Sequence, residues 1–348
     1  MVSTIERSDH PNWVFDRFPA ENTFEPKQLF MKKRYIIWVI ILLCNAAQAK
    51  IWRVNNNTGI AADFTNAQAA HDGAAMGDTL HFEPSLSSYG NVMLSKRLVL
   101  IGTGDFLDIN PNQQSTGIAA RLSDLNISNP AAAGTVIMVS FSYMIIQNVP
   151  NLVIQRCYIS NLVDANNADN MVIRNCYFQN NINIQSGSAN ILVHNNIIRA
   201  HISMDAGSSG TILNNVISTN GNGSLLYNSI VRSNIFVNGG VGLAVACTIE
   251  NNLESGSSLP AGSGNQSSVS MSTVFINHSS GLDKDFQLKA GSPAIAAGYG
   301  GIDAGAYGGL SPYVLSVLPN VPSVYKLIAP PSVSGNTMSI TISTKSNN

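Results

Sequence analysis

A column of polar and charged side chains in the middle of the chain is the feature whose residue types could do chemistry. Six short segments between residues 153 and 253 align with one another. Only 11% of the chain is charged, against about a quarter of a typical soluble protein, so several charges in one column stand out. The third positions of the six segments are Gln155, Arg174, His194, Leu213, Arg232 and Glu250.

Stacking of the six segments would place neighbouring members of this column one coil apart. Arg174 and His194 could then contact a uronate carboxylate or the hydroxyl groups of a sugar, and Arg232 could pair with Glu250. We therefore predict these four residues as substrate-binding. A solvated outer face is the simpler interpretation, because exposed ion pairs contribute only about 0–1 kcal/mol. Leu213 interrupts the column and favours this simpler interpretation.

The elements that would position this column are strands of a repeat about nineteen residues long. The fifth positions of the segments fall at residues 157, 176, 196, 215, 234 and 252, so the steps are 19, 20, 19, 19 and 18. Each unit contains short apolar alternations broken by Asn, Gly and Ser, which is typical of strands and turns. One unit cannot bury its own apolar face, whereas stacked units can. The pattern predicts an all-β solenoid with about 4.8 Å between coils.

Stacking also predicts three further columns of residues. Two of them are apolar and point inward. The third lies at a bend between strands, where Asn tolerates left-handed backbone and stacked amides form a hydrogen-bonded ladder. The first apolar column is Ile154, Ile173, Val193, Ile212, Val231 and Ile249, the second is Ile159, Phe178, Ile198, Ile217 and Phe236, and the bend column is Cys157, Cys176, Asn196, Asn215, Asn234 and Asn252.

In these repeats the sequence resembles the right-handed parallel β-helix proteins of the pectate-lyase-like superfamily. The segments 63–70 and 77–84 are similar to the N-terminal cap and first strand of that superfamily. Thr65 with Gln68 indicates a capping box, and the good helix formers from Ala67 to Ala75 indicate a short helix over the open end of the first coil. Residues 97–102 look like the next coil. The resemblance implies a single-stranded right-handed parallel β-helix with a short N-terminal helical cap.

The resemblance extends towards the C-terminus and ends near residue 310. Residues 291–298 and 303–309 are similar to the terminal segment of secreted bacterial β-helix proteins. Residues 311–348 break the pattern and form either an edge strand packed along the helix or a small appendage. We therefore divide the folded part of the chain into a β-helix domain, residues 50–310, and a C-terminal segment, residues 311–348.

The first 49 residues have the pattern of a targeting segment rather than of a domain. Residues 31–34 are Met-Lys-Lys-Arg, an apolar run follows from Tyr35 to Leu43, and Ala47-Gln48-Ala49 resembles a cleavage site. This is the pattern of a secretory signal peptide over residues 31–49, because nine apolar residues are too few to span a bilayer. We interpret residues 1–30 as an extension upstream of the true start at Met31. We expect the mature protein to be secreted, periplasmic or on the cell surface, with no membrane span.

Composition excludes several classes of function. The formal net charge of −1 excludes binding of nucleic acid through bulk basicity, and a mean hydropathy of +0.10 is too low for a multi-span membrane protein. After cleavage Cys157, Cys176 and Cys247 remain. Cys157 and Cys176 fall in one column of adjacent coils, where buried free thiols are favoured over a disulfide.

No familiar catalytic set is apparent, and we expect no metal and no cofactor. Lyases that share the resembled fold use clustered acidic residues that hold calcium and an Arg or Lys base. Here Asp164, Asp169 and Asp205 are expected in turns between coils and do not recur in one column. A glycoside hydrolase needs two carboxylates about 5–10 Å apart, and no acidic pair falls in adjacent coils. Isolated histidines such as His71 and His81 fit structural or surface positions.

Three functions remain open. The first is non-catalytic binding of an extended polysaccharide at the cell surface or in the periplasm. The second is a polysaccharide lyase, hydrolase or epimerase that acts on a uronate-containing glycan through Arg174 and His194. The third is a structural or adhesive rod without ligand. The sequence does not define the oligomeric state.

Overall fold

Each repeat forms one coil of a parallel β-helix. The computed structural model describes residues 49–114, 116–219, 223–332 and 337–347, which belong to one unit that begins at Ala49. The predicted signal peptide, apart from Ala49, and the extension before it lie outside these residues. In a complete coil the chain passes through a strand of the first sheet, a short strand of the third sheet and a strand of the second sheet.

Within the described part of the chain, three parallel sheets make up the coils. The first sheet contains Ile51–Val54, Thr79–Phe82, Val99–Ile101, Val136–Met138, Val153–Gln155, Val172–Arg174, Ile191–His194, Gly210–Leu213, Ser229–Arg232 and Thr248–Glu250. The second sheet contains Val92–Leu94, Asp124–Ile127, Tyr143–Gln147, Val163–Asn166, Ile182–Ile184, Ile202–Met204, Ser224–Tyr227 and Val241–Val245. The third sheet contains Tyr158–Ile159, Tyr177–Phe178, Ile197–Ile198, Val216–Ser218, Ile235–Val237 and Leu253–Glu254. The parallel β-helix predicted from the repeat is confirmed.

The two predicted apolar columns form the core inside the coils. Strand pairing aligns Ile154 with Ile173 and continues in register to Ile249. The column that ends at Phe236 is aligned in the same way, and its members are fully buried. Glu254 takes the next place after Phe236. Its buried carboxylate accepts hydrogen bonds from the Ser258 and Ser267 hydroxyls and ends the apolar column.

The predicted asparagine ladder is present and is fully buried. The Asn196 side chain donates to Asn215 Oδ1, Asn215 donates to Asn234 Oδ1 and Asn234 donates to Asn252 Oδ1, each over 3.0 Å. Asn252 donates in turn to Asn265, a further member that the sequence analysis did not include. Each amide oxygen therefore serves the coil before it, and the ladder joins successive coils.

The left-handed backbone expected within the bend column lies one residue earlier. The residues with positive φ at the bends are Arg156, Asn175, Asn195, Asn214, Ser233 and Asn251, with φ between 49° and 57°. This part of the prediction was wrong. The chain turns at the residue before each ladder position, and the ladder residue contributes only its side chain to the bend. Most of the turning residues are nevertheless Asn, which tolerates this conformation best among residues with a Cβ.

The N-terminal helix is confirmed, but its cap differs from the predicted one. The helix spans Ala67–Gly73, and Asn66 rather than Thr65 is the N-cap, because Asn66 Oδ1 accepts from the Ala69 amide over 2.8 Å. Gln68 does not complete a capping box. Its side-chain oxygen accepts from the Met93 amide and thereby ties the helix to the second sheet. A second helix spans Met271–Val274, and single turns of 3₁₀ helix span Pro130–Ala132, Asp283–Phe286, Tyr299–Gly301 and Leu315–Val317.

The segment after the last coil runs back along the outside of the β-helix. We call residues 271–318 the strap. Its inner side meets the outward residues of the third sheet, and together they form a second core. The third sheet is thus buried on both faces, which explains why its strands carry consecutive apolar residues. The outward residues covered by the strap are Tyr177, Ile197, Val216, Ile235 and Leu253.

The strap is held by the turning residues at the bends. The Asn195 side chain donates to the carbonyl oxygens of Ala306 and Gly308, and the Asn175 side chain donates to those of Ser311 and Pro312. Asn251, Asn214 and Arg156 likewise donate to strap carbonyl oxygens. Ser233 Oγ instead accepts from the Tyr299 amide, and the order of all these contacts shows that the strap passes the coils in reverse order.

The C-terminal segment divides in two, because residues 311–318 belong to the strap, whereas the residues after them form an appendage with its own antiparallel hairpin. The strands Ser323–Ile328 and Thr341–Lys345 pair with each other and do not join a sheet of the solenoid in the described residues. Lys345 Nζ donates to the Gln113 side chain, which connects the hairpin to the long loop after Ile101.

Candidate functional site

The predicted column lies on the outward face of the first sheet in the predicted register. Gln155 is buried, and the other members are half-buried. The register is therefore confirmed, whereas the binding role of Arg174, His194, Arg232 and Glu250 stays a prediction. The aligned residues, in consecutive strands, are Gln155, Arg174, His194, Leu213, Arg232 and Glu250.

Arg174 and His194 are neighbours, and each contacts a protein side chain. Arg174 Nε donates to Gln155 Oε1 over 2.8 Å, and His194 Nδ1 lies 2.9 Å from Asn195 Oδ1. Burial lowers the pKa of His194, and the charge of Arg174 lowers this pKa as well, against the opposing effect of the contact with Asn195. His194 is therefore neutral near pH 7, and Arg174 supplies the positive charge of this pair.

Arg232 and Glu250 form the predicted ion pair, and Arg232 also contacts the strap. Arg232 Nε lies 3.2 Å from Glu250 Oε2, and the guanidinium carbon lies 4.1 Å from the ring centre of Tyr299. Arg232 Nε is buried without an aligned hydrogen bond, so the contact with Glu250 is electrostatic in character. Because Tyr299 belongs to the strap, this pair has a structural partner, which favours the simpler interpretation at this end of the column.

Two adjoining cavities lie on a different part of the surface, next to the end of the strap. Their volumes are about 310 and 390 Å³, and both are lined by Ser88 and Arg121. We call the two cavities together the groove. The residues that line it and matter for its chemistry are Ser88, Asp105, Phe106, Asp108, Arg121, Ser123, Asp124, Ser142, Tyr158 and Ser160.

A row of serine hydroxyls follows the groove along the axis of the β-helix. Ser88, Ser123, Ser142 and Ser160 come from four successive coils. Ser123 and Ser142 directly precede strands of the second sheet, whereas Ser88 lies four residues and Ser160 three residues before such a strand. The hydroxyl oxygens of Ser88 and Ser123 lie 2.8 Å apart. With about 4.8 Å between coils, the row extends over about 14 Å.

Arg121 is fixed between Asp105 and the ring of Tyr158. Its Nε and Nη2 donate to the two carboxylate oxygens of Asp105 over 3.0 and 2.8 Å, and its guanidinium carbon lies 5.5 Å from the centre of the Tyr158 ring. The hydrogen bond to Asp105 raises the pKa of Arg121, so the guanidinium is always charged. The Arg121 side chain is 56% exposed, whereas that of Asp105 is 6% exposed. A ligand in the groove therefore meets the guanidinium and not the Asp105 carboxylate.

Aromatic rings close one side of the groove. Tyr158 stacks on Tyr177 with ring centres 5.7 Å apart and an angle of 8° between the planes. Phe106 packs against both rings in edge-to-face geometry. The backbone of Phe106 has a φ of 54°, a conformation that is rare for an aromatic residue and is concentrated at functional sites. The Ser316 hydroxyl, at the end of the strap, donates to the Phe106 carbonyl oxygen and supports this backbone.

Three acidic residues line the groove, which the sequence analysis did not anticipate. Asp105 and Asp108 come from the long loop after Ile101, and Asp124 begins the next strand of the second sheet. The expectation that no acidic pair falls in adjacent coils stays a prediction, because these three residues belong to a single coil whose loop folds back. Asp164, expected in a turn, lies within the strand Val163–Asn166 and accepts from Gln185 over 2.5 Å.

A signal for the groove was present in the sequence. Ser123, Ser142 and Ser160 are 19 and 18 residues apart, which is the repeat period extended towards the N-terminus. Residues 102–123 separate two strands of one coil and obscure that period. The contribution of Asp105 and Arg121 depends on how this loop folds, so no local pattern identifies it.

The structure describes the three cysteines of the coils as free thiols. Cys157 and Cys176 are buried, and Cys247 is half-buried. Burial raises the pKa of the Cys157 thiol well above its usual value, and the neighbouring Cys176 raises it further. The preference for free thiols over a disulfide is confirmed.

The described residues contain no group of three or more His, Cys, Asp or Glu side chains that could hold a metal ion. Across those same residues, no helix is both long and apolar enough to span a membrane. No family model, curated protein or solved structure matches this chain. The function is therefore inferred from the sequence and from the geometry of the groove.

Proposed function

We propose that this chain is an exported protein that binds an extended polysaccharide, without catalysis, in the groove. The observation that carries the proposal is the row of serine hydroxyls from Ser88 to Ser160, one from each of four successive coils. A polymer that presents hydroxyl groups along its length matches a surface that presents one serine hydroxyl from each coil. Export is supported by the signal-peptide pattern of residues 31–49, and we place the protein in the periplasm, at the cell surface or outside the cell.

The charged pair in the groove supports a binding role. Arg121 is held in place by Asp105 and by the ring of Tyr158, so little side-chain entropy is lost when a ligand hydroxyl accepts from it. Asp108 and Asp124 are exposed carboxylates that can accept from sugar hydroxyls. Their exposure favours binding over catalysis, because a carboxyl group that acts as a general acid is usually desolvated.

We also propose that the chain belongs to the pectate-lyase-like superfamily and winds in the right-handed sense. The three parallel sheets, the asparagine ladder and the helix Ala67–Gly73 support this assignment. An experimental structure tests it. Left-handed winding, or a cross-section without three sheets, would contradict the assignment.

Affinity electrophoresis of the mature protein in gels that contain single polysaccharides tests the binding proposal. The groove variant is the triple substitution Ser123→Ala, Ser142→Ala and Ser160→Ala. Each lost hydrogen bond contributes about 0.5–1.5 kcal/mol, so we expect affinity to fall at least tenfold. The matched variant on the predicted column is Arg174→Gln with His194→Gln, which should bind normally.

Each outcome of this comparison is informative. Loss of binding in the column variant alone would place the site on the first sheet and overturn the groove proposal. Absence of binding to every polysaccharide would overturn the binding function and favour a structural rod. Release of reducing ends or of unsaturated products from a bound glycan would show that the protein is an enzyme and contradict the non-catalytic proposal.

A further inference from the structure

The charge and hydrogen-bonding character of the groove selects one class of glycan. Of the described residues that line the groove, Arg121 is the single cation, whereas Asp105, Asp108 and Asp124 are anions. The groove thus carries two more negative charges than positive ones. A ligand with its own carboxylates would enter a negative field.

The cation of the groove is also poorly available for an anionic ligand. A guanidinium recognises a carboxylate best through two parallel N–H donors. Arg121 already uses Nε and Nη2 in this way for Asp105. Its charge is therefore largely compensated within the protein, and a uronate would have to compete with the buried Asp105 carboxylate.

The remaining polar groups suit a ligand that donates hydrogen bonds. Asp108 and Asp124 carboxylates only accept, while the serine hydroxyls accept or donate. Sugar hydroxyls are donors as well as acceptors, whereas an ionised carboxylate only accepts. An exposed acceptor facing another acceptor leaves both without a partner, and the two charges repel each other.

We propose that the groove takes neutral glycans and discriminates against uronate-containing ones, with Asp108 and Asp124 as the specificity-determining residues. This inference rests on the proposed function, since it names the substrate class of the same site. It is opposite to the use of Arg174 and His194 for a uronate carboxylate.

Paired polysaccharides with the same backbone test the proposal. The pairs are galacturonan with and without full methyl esterification, and hydroxyethyl-cellulose with carboxymethyl-cellulose. Binding is measured by affinity electrophoresis and calorimetry at low salt, with EDTA present so that no divalent cation bridges two carboxylates. We expect the neutral member of any bound pair to bind roughly fivefold or more tightly. The difference should shrink in 1 M salt, where the Debye length is about 3 Å.

Charge-removing variants locate the discrimination. Asp108→Asn with Asp124→Asn should narrow the preference for the neutral member at least severalfold, because the affinity for the anionic member rises while the neutral member loses part of its hydrogen bonding to the two carboxylates. The matched control is Asp169→Asn with Asp205→Asn, which removes the same charge from two exposed residues that do not line the groove. This control should leave the preference unchanged.

The outcomes separate this inference from the proposed function. Equal or tighter binding of the anionic member by the unmodified protein would overturn the inference and leave glycan binding intact. A preference that the control variant changes as much as the groove variant would also overturn it, because net charge rather than the groove would then be responsible. Absence of binding to the whole polysaccharide panel would overturn both.

Discussion

Replacing Asn215 by alanine should measure how much the buried asparagine ladder stabilises the coils. The Asn215 side chain is fully buried and donates to the carbonyl oxygens of Val193 and Leu213, each over 2.9 Å, and to Asn234 Oδ1. Its own oxygen accepts from the backbone amide and from the side-chain amide of Asn196, each over 3.0 Å. Alanine would remove all of these contacts at once.

The expected cost follows from the groups left without a partner. Two donors of Asn196 would lose their acceptor in a buried environment, and an unsatisfied buried group costs about 1–3 kcal/mol. The remaining carbonyl oxygens and the small cavity add to this cost. We therefore expect Asn215→Ala to lower the free energy of unfolding by about 3–5 kcal/mol.

Two further substitutions serve as controls for this variant. Asn265 has the same role at the end of the ladder but is only half-buried, so water can replace its contacts, and Asn265→Ala should cost about 1 kcal/mol. Cys157 and Cys176 occupy the ladder position in earlier coils, where their thiols donate to backbone carbonyl oxygens. Asn215→Cys should therefore cost less than Asn215→Ala.

Urea unfolding followed by circular dichroism and by fluorescence is the assay. Coincidence of the two transitions is required, because a solenoid can unfold in parts. A cost below about 1 kcal/mol for Asn215→Ala would refute the argument from unsatisfied buried groups. Equal costs for Asn215→Ala and Asn265→Ala would refute the argument that burial sets the magnitude.

Three other predictions concern the strap, the predicted column and the thiols. Asn195→Ala removes two hydrogen bonds to the strap backbone, so it should lower the free energy of unfolding in urea by about 2–3 kcal/mol. It should also expose the strap to limited proteolysis, and an unchanged cleavage pattern would contradict the role of Asn195 as an anchor. Burial lowers the pKa of His194 in the folded protein. The contribution of His194 to the free energy of unfolding should therefore be complete above the unfolded pKa of about 6.5 and be lost as the pH falls through the folded pKa. His194→Gln should flatten the stability–pH curve between these two pKa values. Cys157 should resist alkylation until the protein unfolds while Cys247 reacts in the folded state, as mass spectrometry of the labelled peptides would show.

The fold was largely predictable because a solenoid repeats one local rule. The period of about nineteen residues sets which residues stack, so the inward columns, the asparagine ladder and the Arg232–Glu250 pair could all be read from aligned segments. The prediction of left-handed backbone was wrong by one residue, because Asn occupies both positions of the bend in three of the six aligned coils. The sequence alone does not tell whether an Asn is there for its backbone or for its side chain.

The candidate site was less predictable because it depends on parts of the chain outside the repeat. Asp105 and Arg121 meet only because a long loop folds back on its own coil. Ser316 in the strap also supports the groove residue Phe106, which lies more than 200 residues earlier in the chain. No periodicity connects such distant segments.

The sequence by itself determined the period, the inward and outward faces of the first sheet and the buried amide ladder. The physical reason is that each coil pairs with its neighbours in register, so the position of a residue within the repeat determines which residues surround it. Only the tertiary structure decided that the outward residues of the third sheet are covered by the strap and that the serine row near Arg121 remains open. Burial of an outward face depends on the strap, a segment far away in the chain, and the pattern of the strands does not encode which coils the strap covers.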